Sequence, residues 1–491
     1  MVAGRPRVDV PYTHVDDHFI DGRWTRSTGG RRNDVVDPTT GEVWGSVPDA
    51  TDEDIDLAMR AAGGALRDGR WSALSAASRA AHLLRIADEL ELRATELATT
   101  NTLENGCPIA ETLGAAGNAA SIFRYFAGLA DYLDRPDVRP FPGGGGRETV
   151  VRREPVGICV LIAPWNFPIN LMVAKLAPAL LAGCTVVMKP ASPTPLSIRF
   201  VVEAMAAAGV PAGVVNLLTG SGSRGDAMVR HPAVAKVALT GSTPVGRHIA
   251  AVCGELLRPV TLELGGKSSA IVLADADLGA MSSVLLRSCL RNTGQTCYIS
   301  TRILAPRGRY DEVVDMVTRT VAGGRQGDPL LPDTVFGPSA TAAQFDTVLS
   351  YIDSGRAEGA RVTTGGRARA GTAGYFIEPT VFADVTPHMR IAREEIFGPV
   401  LAILEYGDLD EAVRWNNDTG FGLGGMVFAG DPQQALAVAE RMDTGSVGIN
   451  FFASNHNAPF GGRHNSGLGV EFGIEGLNAY VTYKSIHRSR D

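Results

Sequence analysis

Near-continuous apolar runs of strand length punctuate the middle of the chain, at residues 156–163, 185–189 and 214–218. Between them, residues 171–182 and 197–208 repeat apolar side chains at three- and four-residue spacing, which predicts helices. Strands that are apolar throughout and alternate with helices imply a parallel sheet covered on both faces, hence a doubly wound lobe. Residues 236–239 and 260–263 extend that lobe, and a second α/β block starts near Ser269 with a helix over 278–290 and runs beyond Glu395.

The flanks carry other patterns. Residues 52–100 form a helical front end, with Leu83, Leu84, Ala87, Leu90 and Leu92 at helical spacing, and short strands and turns are expected around 18–24 and 37–41. Residues 479–484 are β-rich but too short to form a lobe. With residues 147–153, just past the glycine run 143–146, they predict a protruding ribbon whose edges need a partner.

At 491 residues the chain is too long for a single core, so two or three lobes are expected. The net charge of −7 and the lack of a lysine or arginine run argue against nucleic acid or a membrane surface as partner. A polar start over residues 1–17 and the absence of about 18 consecutive apolar residues point to a cytoplasmic protein. The six cysteines, Cys107, Cys159, Cys184, Cys253, Cys289 and Cys297, form no CxxC pair and have no histidine at metal-ligand spacing. They read as reduced thiols, five of them small core residues and at most one reactive, with no metal.

Three stretches carry candidate chemistry. The glycine fingerprint of a conventional dinucleotide site is missing after the first strand, where Pro164-Trp-Asn-Phe-Pro168 stands instead. A glycine turn does follow the strand at 236–239, in Thr240-Gly-Ser-Thr-Pro-Val-Gly246, and backbone N–H groups at such a helix start suit a diphosphate, although a plain strand–helix turn has the same look. Gly294-Gln-Thr-Cys297 sets a cysteine after a flexible turn, and Leu262-Glu-Leu-Gly-Gly-Lys267 sets a carboxylate at a strand end, where a parallel sheet presents active groups.

Together with Lys189-Pro190, Glu394-Glu-Ile-Phe-Gly-Pro399, Pro459-Phe-Gly-Gly462 and Ser466-Gly467, these blocks occur in the order and spacing of the aldehyde dehydrogenase superfamily, which the chain resembles from about His18 to Ser485. The resemblance implies a Rossmann-like cofactor-binding domain (1–128 and 148–262), an α/β catalytic domain (263–462) and a small β oligomerisation ribbon with a tail (129–147 and 463–491). It implies an NAD- or NADP-dependent oxidation of an aldehyde to its carboxylic acid. Cys297 would be the nucleophile, Asn166 the oxyanion donor beside the Cys297 N–H, and Glu263 the base that hydrolyses the thioester.

For the cofactor, the resemblance implies Lys189 at the adenosine ribose and Gly241, Ser242 and Gly246 at the diphosphate. Glu395 and Phe397 would sit at the nicotinamide end, with Gln344 as a neighbour. Ile162, Ala163, Pro164, Trp165, Gly222, Val245 and Leu264 complete the set. Ser192 departs from the glutamate that many NAD-preferring relatives carry, which removes an obstacle to NADP. At the aldehyde end, Phe167, Asn170, Ala174, Arg291, Thr296, Tyr298, Asn455, His456 and Phe460 are expected, and that mixture suggests a polar or semialdehyde substrate. A homodimer or homotetramer is implied. The rival readings are a coenzyme A-acylating relative, a noncatalytic relative of the same fold, and a cysteine–histidine hydrolase, the last weakened because none of the nine histidines lies in the blocks around Cys297.

Overall fold

The computed structural model describes residues 14–143 and 146–489; the polar start over 1–13, the middle of the glycine run and the last two residues lie outside the described residues. Its first sheet has eight strands. Five central ones are parallel, in the order Val215–Leu217, Thr185–Lys189, Ile158–Ile162, Val234–Thr240 and Val260–Glu263. The apolar runs read from the sequence are therefore strands, and the two in the middle are buried on both faces by helices.

Chain order reverses across this sheet. The strand Ile158–Ile162 is the earliest of the five, and the chain winds outward from it first to one side and then, through Val234–Thr240, to the other. Crossovers on opposite sides leave a crevice at the carboxyl ends of those two strands, where a ligand can reach backbone from both halves. The residues that follow them are Ala163-Pro164-Trp165 and Gly241-Ser242, two of the stretches singled out from the sequence.

The second sheet has seven strands, in the order Arg361–Thr364, Thr380–Ala383, Val400–Tyr406, Arg302–Pro306, Ser269–Val272, Met426–Phe428 and Gly448–Ile449. All are parallel except the first pair. The front end folds as the helices Asp52–Arg67, Ala76–Leu92 and Ala94–Asn105, the first held by a capping box between Thr51 and Asp54.

The ribbon is a three-stranded sheet in which Val481–Ser489 pairs antiparallel along the whole of Arg147–Pro155, and Asp137–Pro140 pairs on the other side. Residues 147–153, read from the sequence as one side of a ribbon, are paired there, whereas the domain bounds implied by the resemblance put 148–155 with the first lobe. Part of the expected tail does the reverse, because Gly467–Leu468 closes the edge of the first sheet, with Gly467 opposite Glu263. Among the described residues no helix is long and apolar enough to cross a membrane.

Candidate active site

At the crevice lies a cleft of about 870 Å³. Fourteen of the fifteen positions expected at a cofactor line it: Ile162, Ala163, Pro164, Trp165, Lys189, Ser192, Gly222, Gly241, Ser242, Val245, Leu264, Gln344, Glu395 and Phe397. The fifteenth, Gly246, does not. It is buried in the helix Thr243–Glu255, where an added Cβ would lie 2.4 Å from a methyl of Leu264; its role is to let that side chain reach the cleft wall.

That helix starts at Ser242, whose side chain caps none of the first N–H groups, with Pro244 in the first turn. Its open amino end, carrying partial positive charge, faces the crevice. Lys189 Nζ donates to the Pro190 carbonyl at 3.2 Å, and burial lowers its pKa to about 8. Ser192 Oγ donates to the Gly220 carbonyl at 3.0 Å.

Across the cleft, Gln344 Nε2 donates to the carbonyls of Ile396 and Phe397, both at 2.9 Å, and so fixes the loop that presents Glu395 and Phe397. Phe397 is held in the left-handed region at φ 57° with its ring edge-on to Trp165, centroids 5.3 Å apart. Glu395 accepts the Gly266 N–H at 2.9 Å, and burial raises its pKa to about 7.

Cys297 and Asn166 line the same cleft. The turn before Cys297 is pinned, contrary to the flexible turn expected. Asn292, Thr293 and Gly294 all have left-handed backbone, and a Cβ on Gly294 would lie 1.9 Å from the Gly398 carbonyl oxygen. The Gln295 side chain ties it further, donating to the Asn292 carbonyl at 3.1 Å and accepting from the Ala340 N–H at 2.9 Å.

Of the six cysteines, five are buried and Cys297 alone is partly exposed. Burial pushes its thiol up to about 12, the nearby Glu395 and Glu263 carboxylates add to this, and the N–H groups of Cys297 and Tyr298 oppose it by bonding to the sulfur. In this arrangement the sulfur holds its proton, and attack requires a base. Asn166 is buried; its amide donates one N–H to the Gln295 carbonyl at 3.0 Å and leaves the other uncommitted. Its main-chain carbonyl is gripped by Asn105 and Asn292, each at 3.1 Å.

Glu263 ends the strand Val260–Glu263, buried, with neither carboxylate oxygen bonded to a described residue. Burial, reinforced by the charge of Glu471, drives its pKa well above the ordinary carboxyl value, while Lys175 opposes the rise. Glu471 and Lys175 escaped the sequence reading. Lys175 is fully buried and donates to Glu471 Oε1 and to Thr240 Oγ1, each at 2.5 Å. The signal available was a lone lysine inside the apolar helix Pro168–Ala182.

None of the expected aldehyde-end residues lines this cleft. Phe167 and Tyr298 are the chain neighbours of those two residues, and Tyr298 packs edge-on to Phe460 at 6.2 Å. Phe452, which the sequence did not bring forward, stacks on Tyr298 at 4.8 Å. Thr296 Oγ1 donates to the Arg291 carbonyl at 3.1 Å, and Asn170 Oδ1 has no described partner.

Four residues bear on the semialdehyde expectation. Arg291, its cationic candidate, is ion-paired at 2.8 Å with Glu111. Asn455 is exposed and accepts the N–H of Asn457, and Ala174 is buried in the core. His456 lies against Phe472, and burial lowers its pKa.

Comparison with known proteins gives the same direction throughout. Residues 24–486 match the model of the aldehyde dehydrogenase family. The geranial dehydrogenase of Castellaniella defragrans is 49% identical over 97% of this chain and 99% of its own length. The crystal structure of an aldehyde dehydrogenase from Mycobacterium tuberculosis complexed with NAD+ superposes with a TM-score of 0.93 at 40% identity, covering 96% of this chain and 97% of that one. Betaine aldehyde dehydrogenase from Staphylococcus aureus in complex with NAD+ gives a TM-score of 0.94 at 35% identity, covering 97% and 95%.

Proposed function

Since the chain belongs to the aldehyde dehydrogenase family and is a nicotinamide-dependent oxidoreductase that converts an aldehyde to its carboxylic acid, we propose that Cys297, Asn166 and Glu263 carry that reaction. Glu263 takes the thiol proton, the sulfur bonds to the carbonyl carbon, and the π electrons move to oxygen. The second N–H of the Asn166 amide and the Cys297 N–H receive that oxyanion. When bound, the nicotinamide supplies the hydride acceptor. Glu263 gives the thiol proton up to solvent and then removes a proton from the water that attacks the thioester left on Cys297; the carbon–sulfur bond breaks, the acid departs, and the thiolate takes that proton back from Glu263.

One observation supports these roles above the rest: a partly exposed thiol and a half-committed amide open onto the same cleft as the dinucleotide residues. Cys297→Ala is expected to abolish aldehyde oxidation in a folded protein, and wild-type-like rates in that variant would overturn the assignment. Glu263 favours hydrolysis over transfer to coenzyme A, so free acid should form with no coenzyme A present; a strict requirement for coenzyme A would reverse that choice.

The cleft suits a nicotinamide dinucleotide in shape and charge, with an uncapped helix start for the diphosphate, Lys189 for the adenosine ribose, and Glu395 and Phe397 for the nicotinamide end. Because Ser192 carries no charge to repel a 2′-phosphate, turnover with NADP as well as NAD is expected. A preference for NAD above about a thousandfold in kcat/KM, about 4 kcal/mol, would reject dual use. The cofactor domain, catalytic domain and ribbon are our division of the chain, with the open edge of Val481–Ser489 as the contact of a homodimer or homotetramer in the cytoplasm. Sedimentation as a monomer would refute the oligomer.

A further inference from the structure

The aldehyde end of the site carries a charge pair for which the steps above have no use. Arg291 Nε donates to Glu111 Oε2 at 2.8 Å, and Arg291 Nη1 donates to the Tyr298 hydroxyl at 2.7 Å. The guanidinium carbon lies 4.9 Å from the centroid of the Phe167 ring. Tyr298 directly follows Cys297, and Phe167 directly follows Asn166. The guanidinium therefore spans the two aromatic residues that adjoin the nucleophile and its amide. The side chains of Arg291 and Glu111 are 26% and 27% exposed, open to an entering molecule yet shielded enough for charge to matter.

The rest of this wall is aromatic and partly exposed. Tyr298 stacks on Phe452 with an interplanar angle of 15°, and Phe460 meets it edge-on. The phenol of Tyr298 is anchored by Arg291, so its ring is fixed in that stack. A rigid set of ring faces and edges suits a flat, apolar body. Two other basic groups are accounted for: Lys175 is bonded to Glu471, and burial lowers the pKa of His456.

We infer that the Glu111–Arg291 ion pair is the specificity determinant at the aldehyde end, cancelling the charge beside an aromatic wall so that the enzyme takes uncharged, flat aldehydes, aromatic or conjugated, and rejects carboxylated ones. A carboxylated substrate reaching the arginine would have to displace Glu111 or sit beside it, and like charges at short range oppose binding strongly. Removing the Glu111 charge while keeping an acceptor for Arg291 leaves a guanidinium with no counter-charge, the feature a carboxylated aldehyde needs. Glu111 is thus a positioning residue: it acts through Arg291 and touches neither thiol nor cofactor.

The inference rests on the aldehyde oxidation proposed above, and its test separates the two. Wild-type enzyme and variants are assayed with benzaldehyde and 4-carboxybenzaldehyde, which differ by a carboxylate para to the reacting carbonyl. The wild type is expected to favour benzaldehyde by about tenfold or more in kcat/KM. Glu111→Gln is expected to raise kcat/KM for 4-carboxybenzaldehyde relative to benzaldehyde by about tenfold, through KM rather than kcat, and Glu111→Gln with Arg291→Met is expected to erase that gain. A wild type that prefers the carboxylated aldehyde overturns the inference even if no variant folds. A folded Glu111→Gln with an unchanged ratio overturns it too. Failure of the wild type to oxidise any aldehyde removes the underlying reading, and the inference with it.

Discussion

Asn166→Ala separates the chemistry of the site from its architecture. The substitution deletes a buried amide that makes one hydrogen bond, to the Gln295 carbonyl at 3.0 Å, and in the proposed reaction makes a second only when an oxyanion forms. The backbone of residue 166 stays gripped through its carbonyl by Asn105 and Asn292, so the turn into the helix Pro168–Ala182 is preserved. Loss of the bond to Gln295, with its carbonyl left unpaired, costs about 1–3 kcal/mol of stability. Loss of one preorganised oxyanion donor raises the barrier by about 2.7–4 kcal/mol, a fall of about 10²–10³ in kcat. The assay is steady-state formation of reduced nicotinamide at saturating cofactor, with thermal unfolding and dinucleotide affinity measured on the same sample. Asn166→Asp, which places a negative charge where the oxyanion forms, should fall further than the alanine variant. A folded Asn166→Ala enzyme within about tenfold of wild-type kcat would refute the role of this amide.

Glu263→Gln should lower kcat by about 10²–10⁴ in a folded protein, because the thiol and the attacking water both lose their base; a kcat within about tenfold of wild type would refute that role. Glu395, raised to about 7 by burial, should hold ribose hydroxyls best when ionised; the KM for dinucleotide then falls as pH rises through about 7, and this dependence disappears in Glu395→Gln. Glu104 is buried, takes the N–H groups of Leu196 and Ser197, and has its pKa raised to about 7, chiefly by burial. Its folded value lies above the ordinary 4.5, so its contribution is complete below about 4.5 and lost as pH rises through about 7. The loss is about 3 kcal/mol, and denaturant titrations across that range should flatten in Glu104→Gln. Gly294→Ala, forced against the Gly398 carbonyl, should cost about 10² or more in kcat/KM with dinucleotide binding largely retained.

The parallel sheet was legible because both of its faces are covered, which leaves runs such as Ile158–Ile162 with no polar alternation to confuse them. The proposed cofactor cleft was legible for a related reason: part of its wall is formed by short stretches that directly follow strands, so that sequence order and spatial order coincide at Ala163-Pro164-Trp165 and Gly241-Ser242. Gly246 misled because a glycine kept for packing against Leu264 and one kept for a ligand leave the same letter in the chain. Arg291 was harder to read. Its counter-charge, Glu111, stands 180 residues away on another element, and no local pattern announces that pairing.

Residues that break local rules mark the rest of the site. Lys175 interrupts an apolar helix, Glu263 ends a buried strand with both oxygens unbonded, and Lys267 is fully buried with an unbonded ammonium whose pKa falls to about 7. A fold selected only for stability would replace such groups with apolar ones, since burying a charge, paired or unpaired, works against folding. Their clustering along Leu262-Glu-Leu-Gly-Gly-Lys267 and the facing helix therefore has to be offset by something other than stability. Burial supplies a reason. The environment that raises the pKa of Glu263 and of the Cys297 thiol leaves both weakly solvated, so in the proposed reaction the proton passes between two groups whose affinities for it were both pushed upward.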